Sequence, residues 1–416
     1  MKIAIVGAGV NGLASAYELM LCGHAVTVFE RRATAAEAGS FAPAGLLHPA
    51  WALAWADPMP RLRLPWSAPG PGVRWRSGLQ WPAFAWWGQW RSARRRRTAD
   101  ARAALIDLLT LGQERHAALQ AELELDHDRS DGFLVLGPDQ RSFDRAAGLA
   151  VTLRELGLGV RPVSAAEARA IEPALDAAAP LAGAIHLTGP AVANCREWTL
   201  LMRQVLLRNG GRFQAQQAVR GLRPHADGVE LTTDRTAESF DAAVLCTGSD
   251  APDLLRSLGL RTPFQPWWSH SLSAPVREPM DAPQSGVMDL QTGVTITRLG
   301  QRVRASGGWD LGGEAGGAER PAIAHLARTM SHWFPAAARL GGAQSALQTW
   351  RGAALVSADG LPLIGASRVP GVWLNLAHGT MGWALACGAA RHLADTMAGG
   401  AVDGRLDALS PSRLGL

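Results

Sequence analysis

The stretch Lys2-Ile3-Ala4-Ile5-Val6-Gly7-Ala8-Gly9-Val10-Asn11-Gly12 decides the fold. A short apolar run breaks into glycines at GxGxxG spacing. A helical pattern follows, with Leu13, Ala16, Leu19 and Met20 on its apolar side up to about Cys22. This is a strand, a phosphate-binding turn and a helix. Gly7 makes the tight turn, Gly9 lets a pyrophosphate approach the backbone, and Gly12 lets the helix pack against its strand. The N–H groups at the helix start face the anion. After Gly23-His24, the run Ala25-Val26-Thr27-Val28-Phe29-Glu30 reads as a second strand ending on a carboxylate. An acid there accepts the hydroxyls of an adenosine ribose and repels a 2′-phosphate, which favours FAD or NAD over NADP. A lone GxGxxG is weak; the strand, the helix and the acid in register give it meaning.

Composition sets the frame around this turn. A chain of 416 residues exceeds one ordinary core and points to two domains, and 47% hydrophobic residues with 46 glycines fit an α/β protein. The N-terminus enters a strand at once and no 18-residue apolar run occurs, so the expectation is an unexported, cytoplasmic protein that does not span a membrane. Cys22, Cys195, Cys246 and Cys387 are scattered, with no CxxC pair and no His cluster at ligand spacing, so no metal site or disulfide framework is expected. The net charge of +5 is local: Trp51 to Arg97 contains nine Arg against one Asp. Lys2 is the only lysine. Arginine therefore supplies almost all the basic charge, as a GC-rich genome would dictate, and nucleic acid is not expected as a partner.

Residues 33–49 form an Ala-, Gly- and Pro-rich loop with small side chains suited to close approach of a ligand. The segment Trp51 to Trp90 carries half of the 16 tryptophans and is followed by Arg91 and Arg94 to Arg97. It reads as a helix packed on the rest of the protein with solvated arginines; the competing reading is a patch at 51–97 resting peripherally on the inner face of an anionic membrane. Helices are expected at Arg102 to Leu123, from Ser164-Ala165-Ala166-Glu167, and at Trp198 to Asn209. Strands are expected at Gly132 to Gly137, Arg212 to Val219, as a pair within Gly221 to Thr233, and as one run Phe240 to Cys246 ending in Thr247-Gly248. From Thr262 to about Trp350 extended segments with one helix near Ala322 to Phe334 suggest an antiparallel sheet. The chain then returns through Asp359-Gly360-Leu361-Pro362-Leu363-Ile364-Gly365 and the strand Val372 to Leu376 to a second glycine turn, Gly379-Thr380-Met381-Gly382-Trp383, at the start of a helix. That geometry suits the N1/C2=O edge of a reduced flavin.

With these parts in place the chain resembles the D-amino-acid oxidase superfamily of FAD enzymes, most closely the small-subunit type of bacterial D-amino-acid dehydrogenase. The resemblance rests on Gly7 to Glu30, Ser40-Phe41-Ala42-Pro43-Ala44-Gly45, Thr247-Gly248, Asp359 to Gly365 and Gly379 to Trp383. It implies an α/β fold: a Rossmann-type FAD-binding domain from residues 1–50, 164–260 and 351–416, interleaved with a substrate domain on a mainly antiparallel sheet from 51–163 and 261–350. By the same resemblance Gly7, Gly9, Val10, Asn11 and Gly12 hold the pyrophosphate, Glu30 and Arg31 the ribose end, and Val219 the adenine region. Ser40, Ala44, Gly45, Leu46, Thr247, Gly248, Gly379, Thr380, Met381, Gly382 and Trp383 line the rest of the cofactor.

The match fails in the substrate pocket. Family dehydrogenases carry Trp-x-Gly-Leu-Arg-Pro before the Asp-Gly motif, and that Arg forks onto the substrate carboxylate. Here the stretch is Trp350-Arg351-Gly352-Ala353-Ala354-Leu355, which puts Ala354 in place of the arginine. Arg351 does not replace it, because three residues along a strand reverse the face. The family's Lys-Gly-Tyr-Ser reads here as Trp268-Ser269-His270-Ser271. Arg298 is a candidate acid anchor, and His48 and His270 are candidates to enter the cavity. The resemblance then implies oxidation of a C–N bond by hydride transfer from a neutral amine to flavin N5, giving an imine that hydrolyses, with oxygen or quinone as acceptor. No base is required at carbon, and His270 is the candidate for amine deprotonation. Two alternatives stand beside this: an enzyme for a secondary amine, imino acid or bulky biosynthetic intermediate, and an FAD-binding non-catalytic subunit of a heteromeric complex.

Overall fold

Ile3, Ala4, Ile5 and Val6 are all buried, as a parallel strand covered on both faces requires. In the computed structural model, which describes residues 1–54, 62–64, 67, 70–76, 81–95, 99–261, 263–313, 316–317, 319–340, 346–400 and 404–416, this strand is central in a six-stranded sheet. Its order is Leu363–Ala366, Val372–Leu376, Ala242–Leu245, Lys2–Val6, Ala25–Phe29, Arg212–Gln214. Only Leu363–Ala366 runs antiparallel to its neighbour. Alternation sends Ile3, Ile5, Val26, Val28 and Val244 to one face, covered by helices Val10–Leu21, Ala99–Leu123, Cys195–Arg208 and Gly382–Met397. Ala4, Val6, Phe29, Leu245 and Leu374 face a second core, closed by a three-stranded antiparallel sheet over Val219–His225, Gly228–Thr233 and Ala237–Phe240. The run Phe240 to Cys246, read from sequence as one strand, is thus divided at Asp241, whose carboxylate accepts from the Lys2 N–H at 2.6 Å.

The second sheet is larger and mainly antiparallel. Its main path runs Gln348–Ser357, Phe264–Pro275, Arg302–Leu311, Val294–Leu299, Gly286–Asp289, Arg129–Gly137, Gly183–Ala193, Val160–Ser164. Helix Arg320–Trp333 packs on it through Leu326, Met330 and Trp333. This pairing corrects the expected boundaries. Gly183–Ala193 belongs to the second sheet, so the chain enters the nucleotide half at about Asn194 and not at 164. Gln348–Ser357 also pairs there, so the final return falls beyond Ser357 and not at 351. Conversely, Ala99–Leu123, expected in the substrate half, lies against the nucleotide half. A Cβ on Gly112 would meet the Ala384 carbonyl at 2.7 Å, and one on Gly388 would meet that of Leu108 at 2.4 Å.

The tryptophan-rich segment resolves toward packing. Trp75, Trp86, Trp87 and Trp90 are buried with Trp267 and Leu311 in one cluster, Trp87–Trp90 and Trp90–Trp267 having ring centroids 5.0 and 5.3 Å apart. Trp55, Trp66, Arg96 and Arg97 lie outside the described residues, as do the side chains of Arg94 and Arg95. Among the described residues no helix is long and apolar enough to cross a membrane.

The Asp-Gly turn is fastened by charge. Asp359 accepts from the Arg413 Nε at 2.7 Å, the Ser357 hydroxyl at 2.9 Å and the Leu361 N–H at 3.0 Å. Burial pushes this carboxyl up, but the hydrogen bond and charge of Arg413, with the other donors, outweigh it and hold the acid below its usual range. A depressed folded pKa stabilises above the unfolded value and loses that contribution as pH falls through the folded one. Arg413→Ala is therefore expected to cost about 1.5–3 kcal/mol at pH 7. In thermal melts the gap from wild type should narrow once the pH drops below the carboxylate range; a gap constant with pH would refute the assignment.

Candidate active site

A cavity of about 840 Å³ runs from the Gly7–Asn11 turn to the second sheet. At its first end the glycines are sterically required. Gly7 has φ +103, and a Cβ on it would meet the Cys246 carbonyl at 2.7 Å; one on Gly12 would meet the Gly7 carbonyl at 1.9 Å. Glu30 is held by two backbone donors, Ala8 N–H and Arg32 N–H, each at 2.9 Å. The Val10 N–H donates to Ser40 Oγ at 3.0 Å, so one of the donors at the helix start fixes the 33–49 loop.

The lining suits a dinucleotide. Asn11 Oδ1 and Thr247 Oγ1 are buried without a partner, and both residues line the cavity. Unpaired polar atoms in a wall are costly; a dinucleotide brings ribose hydroxyls as donors and phosphate oxygens as acceptors, which answers both. Of the residues expected at the cofactor, Gly7, Gly9, Val10, Asn11, Glu30, Arg31, Ser40, Ala44, Gly45, Leu46, Val219, Thr247, Gly248, Gly379, Thr380, Gly382 and Trp383 line the cavity. Gly12 and Met381 do not: Gly12 is packed against Gly7, and Met381 is buried behind the wall. Arg31 pairs with Asp250 at 2.8 Å at the nucleotide end.

The second glycine turn shows backbone strain. Ala377, a non-glycine residue, has φ 59 and precedes His378 and Gly379. His378 lines the cavity with Nε2 unpartnered, and burial pushes its imidazole down to about 3, so it is neutral. The thiols of Cys195 and Cys246 also reach the wall, but burial pushes each up to about 12. Neither supplies a thiolate.

At the far end the wall is made by Ser269, Thr295, Ser306, Gly307, Gly308, Trp309, Trp350, Ala353 and Ala354. Ala354, which stands in place of the expected arginine, lines this wall. The other substrate candidates are not in the cavity, and strand alternation explains most of this. Ser269 faces the cavity, so its neighbours Trp268 and His270 point away. His270 is fully buried, donates Nδ1–H to the Gly308 carbonyl at 3.3 Å, and has its pKa lowered by burial. It is not placed to take a substrate proton. Arg351 packs over the Trp268 ring at 4.6 Å and lies 3.9 Å from Asp310. Thr295 lines the cavity and Thr297 donates to the Ala44 carbonyl, so Arg298 is turned out and donates to the carbonyls of Gly300 and Pro279. His48 is buried: Nε2 donates to the Thr188 carbonyl at 3.0 Å and Nδ1 accepts from the Ala50 N–H, a role at the start of helix Pro49–Ala54.

Behind this wall His270, Asp310 and Glu319 bring their donor atoms within 4.8 Å of one another. Arg74 already spans both Asp310 oxygens at 2.7 and 2.8 Å and Glu319 at 2.8 Å. The guanidinium fills the position a cation would take.

Several lining residues were not foreseen. Helix Gln140–Glu155 contributes Arg141, Ser142 and Arg145 to the rim, and its N-cap contributes Asp139. It arrives there because Leu136 pairs with Asp289, which sets the helix start beside Leu290 and Gln291. The signal was Asp139-x-x-Ser142, which is a capping box in the structure. Arg141 and Arg145 are exposed, one turn apart, and are the cationic side chains among the described lining residues at this end.

A family model described as FAD dependent oxidoreductase matches residues 2–396. The chain is 33% identical to a D-amino acid dehydrogenase of Methylobacterium nodulans, covering 99% of each chain, and 34% identical to one of Cereibacter sphaeroides, covering 100% of this chain and 95% of the relative. Among solved structures it is similar to glycine oxidase from Geobacillus kaustophilus, with TM-score 0.75 and 19% identity over 98% of this chain and 97% of that one. It is also similar to L-proline dehydrogenase from P. horikoshii, with TM-score 0.73 and 16% identity over 99% and 97%.

Proposed function

Because the chain belongs to the family of FAD-dependent oxidoreductases, we propose that it oxidises the carbon–nitrogen bond of an amino acid or related amine, in the manner of a D-amino acid dehydrogenase with an altered pocket. The observation that carries this reading is the single cavity that joins the Gly7–Glu30 turn to the second sheet. A substrate at the far end meets the redox end of a cofactor whose adenosine lies at Glu30. Bound FAD supplies the two-electron acceptor for hydride leaving the substrate carbon. The chain orients the carbon against the sheet face that carries Ser269, Thr295, Gly307, Trp309, Trp350 and Ala354, and excludes bulk water there.

Proton handling is left to solvent. Among the described lining residues, His378 at the second glycine turn has its pKa pushed down to about 3 by burial and is a weak base, and Asp139 at the far end is held at the rim as a helix cap. The limb of kcat/KM against pH is therefore expected to follow the amine pKa of each substrate. A limb fixed at one pH across substrates of different basicity would place a protein group in the step.

Ala354 favours one second reading, a secondary amine, imino acid or larger intermediate that needs no arginine fork. The test is anaerobic addition of D-amino acids, imino acids and amines to the purified yellow protein, with absorbance read near about 450 nm, the usual flavin maximum. Bleaching by D-amino acids supports the main reading, bleaching by secondary amines alone the second, and bleaching by none overturns both. Reoxidation of the bleached protein by oxygen or by a quinone then identifies the acceptor.

A further inference from the structure

Arg304, in the strand Arg302–Leu311, is a buried cation without an ion pair among the described residues. It is only 8% exposed. Its Nη1 donates to the Pro43 carbonyl at 2.9 Å, and its Nε has no partner. Burial pulls the guanidinium down to about 10, which still leaves it charged at neutral pH. Among the groups that influence it only Asp128 carries opposite charge, and the two form no ion pair among the described residues. Cys195 is a neutral thiol, Arg302 and Arg196 carry the same sign, and Asp128 is engaged by Asn194 at 3.1 Å.

An uncompensated buried charge is costly, and removing a partner from such a charge is among the most damaging changes a core can suffer. A position that tolerates one needs negative charge from elsewhere. The cavity is one residue away: Pro43, which Arg304 holds, and Cys195 beside it both line the wall. This loop lies at the second-sheet end, since Thr297 holds the Ala44 carbonyl at 2.9 Å and a Cβ on Gly39 would meet the Ala353 carbonyl at 3.2 Å. A hydride moved from a substrate carbon to FAD carries two electrons and one proton. It leaves the cofactor one unit more negative and the carbon–nitrogen group one unit more positive, the latter losing an N–H proton to give the imine.

We propose that Arg304 is the fixed positive charge behind the flavin-bearing wall, a positioning residue that acts through the Pro43–Ala44 loop to stabilise the reduced, anionic cofactor and raise its midpoint potential. This rests on the reading above that the redox end of FAD lies toward the second sheet. The charge is buried, where salt screens it little and the local dielectric is low.

The test uses the FAD-loaded protein and needs no substrate. Midpoint potentials are measured against reference dyes, and sulfite, which adds to oxidised flavin to give an anionic adduct, is titrated by absorbance. Arg304→Met is expected to shift the two-electron equilibrium tenfold or more toward the oxidised form, about 30 mV or more, and to weaken sulfite binding tenfold or more. Arg304→Lys, which keeps the charge, is expected to stay within threefold of wild type in both. Unchanged potential and sulfite affinity in Arg304→Met overturn the proposal and leave Arg304 a packing residue. Where the methionine variant does not hold FAD, Arg304→Lys decides: a fall in its potential equal to tenfold overturns the proposal, and retention supports it. A wild-type chain that never takes up FAD overturns the functional reading and this inference together, whereas failure of every amino acid to bleach a yellow protein touches only the former.

Discussion

Gly12→Ala is expected to give a protein that no longer retains FAD and has lost about 3–5 kcal/mol of stability, at the upper end for a single substitution. The reason is local and severe. The added carbon would lie 1.9 Å from the Gly7 carbonyl oxygen and 3.5 Å from the Cys246 side chain, and both the helix and the strand that would have to part are buried core elements. No flexible side chain is available to yield, so helix Val10–Leu21 must tilt away from the sheet. That tilt carries Gly9, Val10 and Asn11 off the cavity wall and breaks the Val10–Ser40 hydrogen bond that anchors the 33–49 loop. Gly148→Ala is the control. Gly148 lies within helix Gln140–Glu155 with nothing within 4 Å of an added Cβ, so alanine there is expected to stabilise by about 0.5–1 kcal/mol. The readouts are the ratio of flavin to protein absorbance after gel filtration and the melting temperature. A yellow Gly12→Ala protein melting with wild type would refute the packing argument.

That position was legible because its physics is contained in a dozen residues. Turn, helix start and acid at Glu30 are fixed by local sterics, and nearly every residue expected at the cofactor lines the cavity as a result. Fold class was legible for the same reason, since buried runs such as Ile3 to Val6 and the alternating segments after Phe264 carry different periods. Domain boundaries were less so. Gly183–Ala193 and Gln348–Ser357 are strands in either sheet as far as their own residues go, and only pairing with strands 46 to 93 residues away assigns them to the second.

The substrate end failed for a sharper reason. His270 and Arg298 were read as cavity residues because their types suit chemistry, yet a one-residue change of phase decides the face. Ser269 and Thr295 won those positions. The β-bulge between Trp268 and His270 in the pairing with Arg302–Leu311 is invisible in the sequence. His48, a loop histidine beside small residues, was claimed by backbone instead. Arg141 and Arg145 were missed because nothing in their own helix says that the Asp289–Leu136 pairing will bring it to the cavity rim.

Ala354→Arg is expected to lower KM for amino acids by roughly ten- to a hundredfold, the range of a charge-assisted, bidentate contact with a carboxylate of about 1.5–3 kcal/mol. It should leave KM unchanged for the matching amines that lack the carboxylate. Ala354 lines the cavity, while Arg351, three residues earlier on the same strand, packs on Trp268. Arg351→Ala is the paired control. It is expected to lower the melting temperature, since it removes a buried guanidinium from beside Asp310, while KM for amino acids stays within threefold of wild type. The two variants together separate a carboxylate fork from a charge that merely lies nearby. If Ala354→Arg instead raised KM for amino acids and amines alike, the space at Ala354 would be occupied by substrate itself. A small side chain there would then be the mark of a bulkier or secondary amine, and the arginine would be missing because the substrate fills its place.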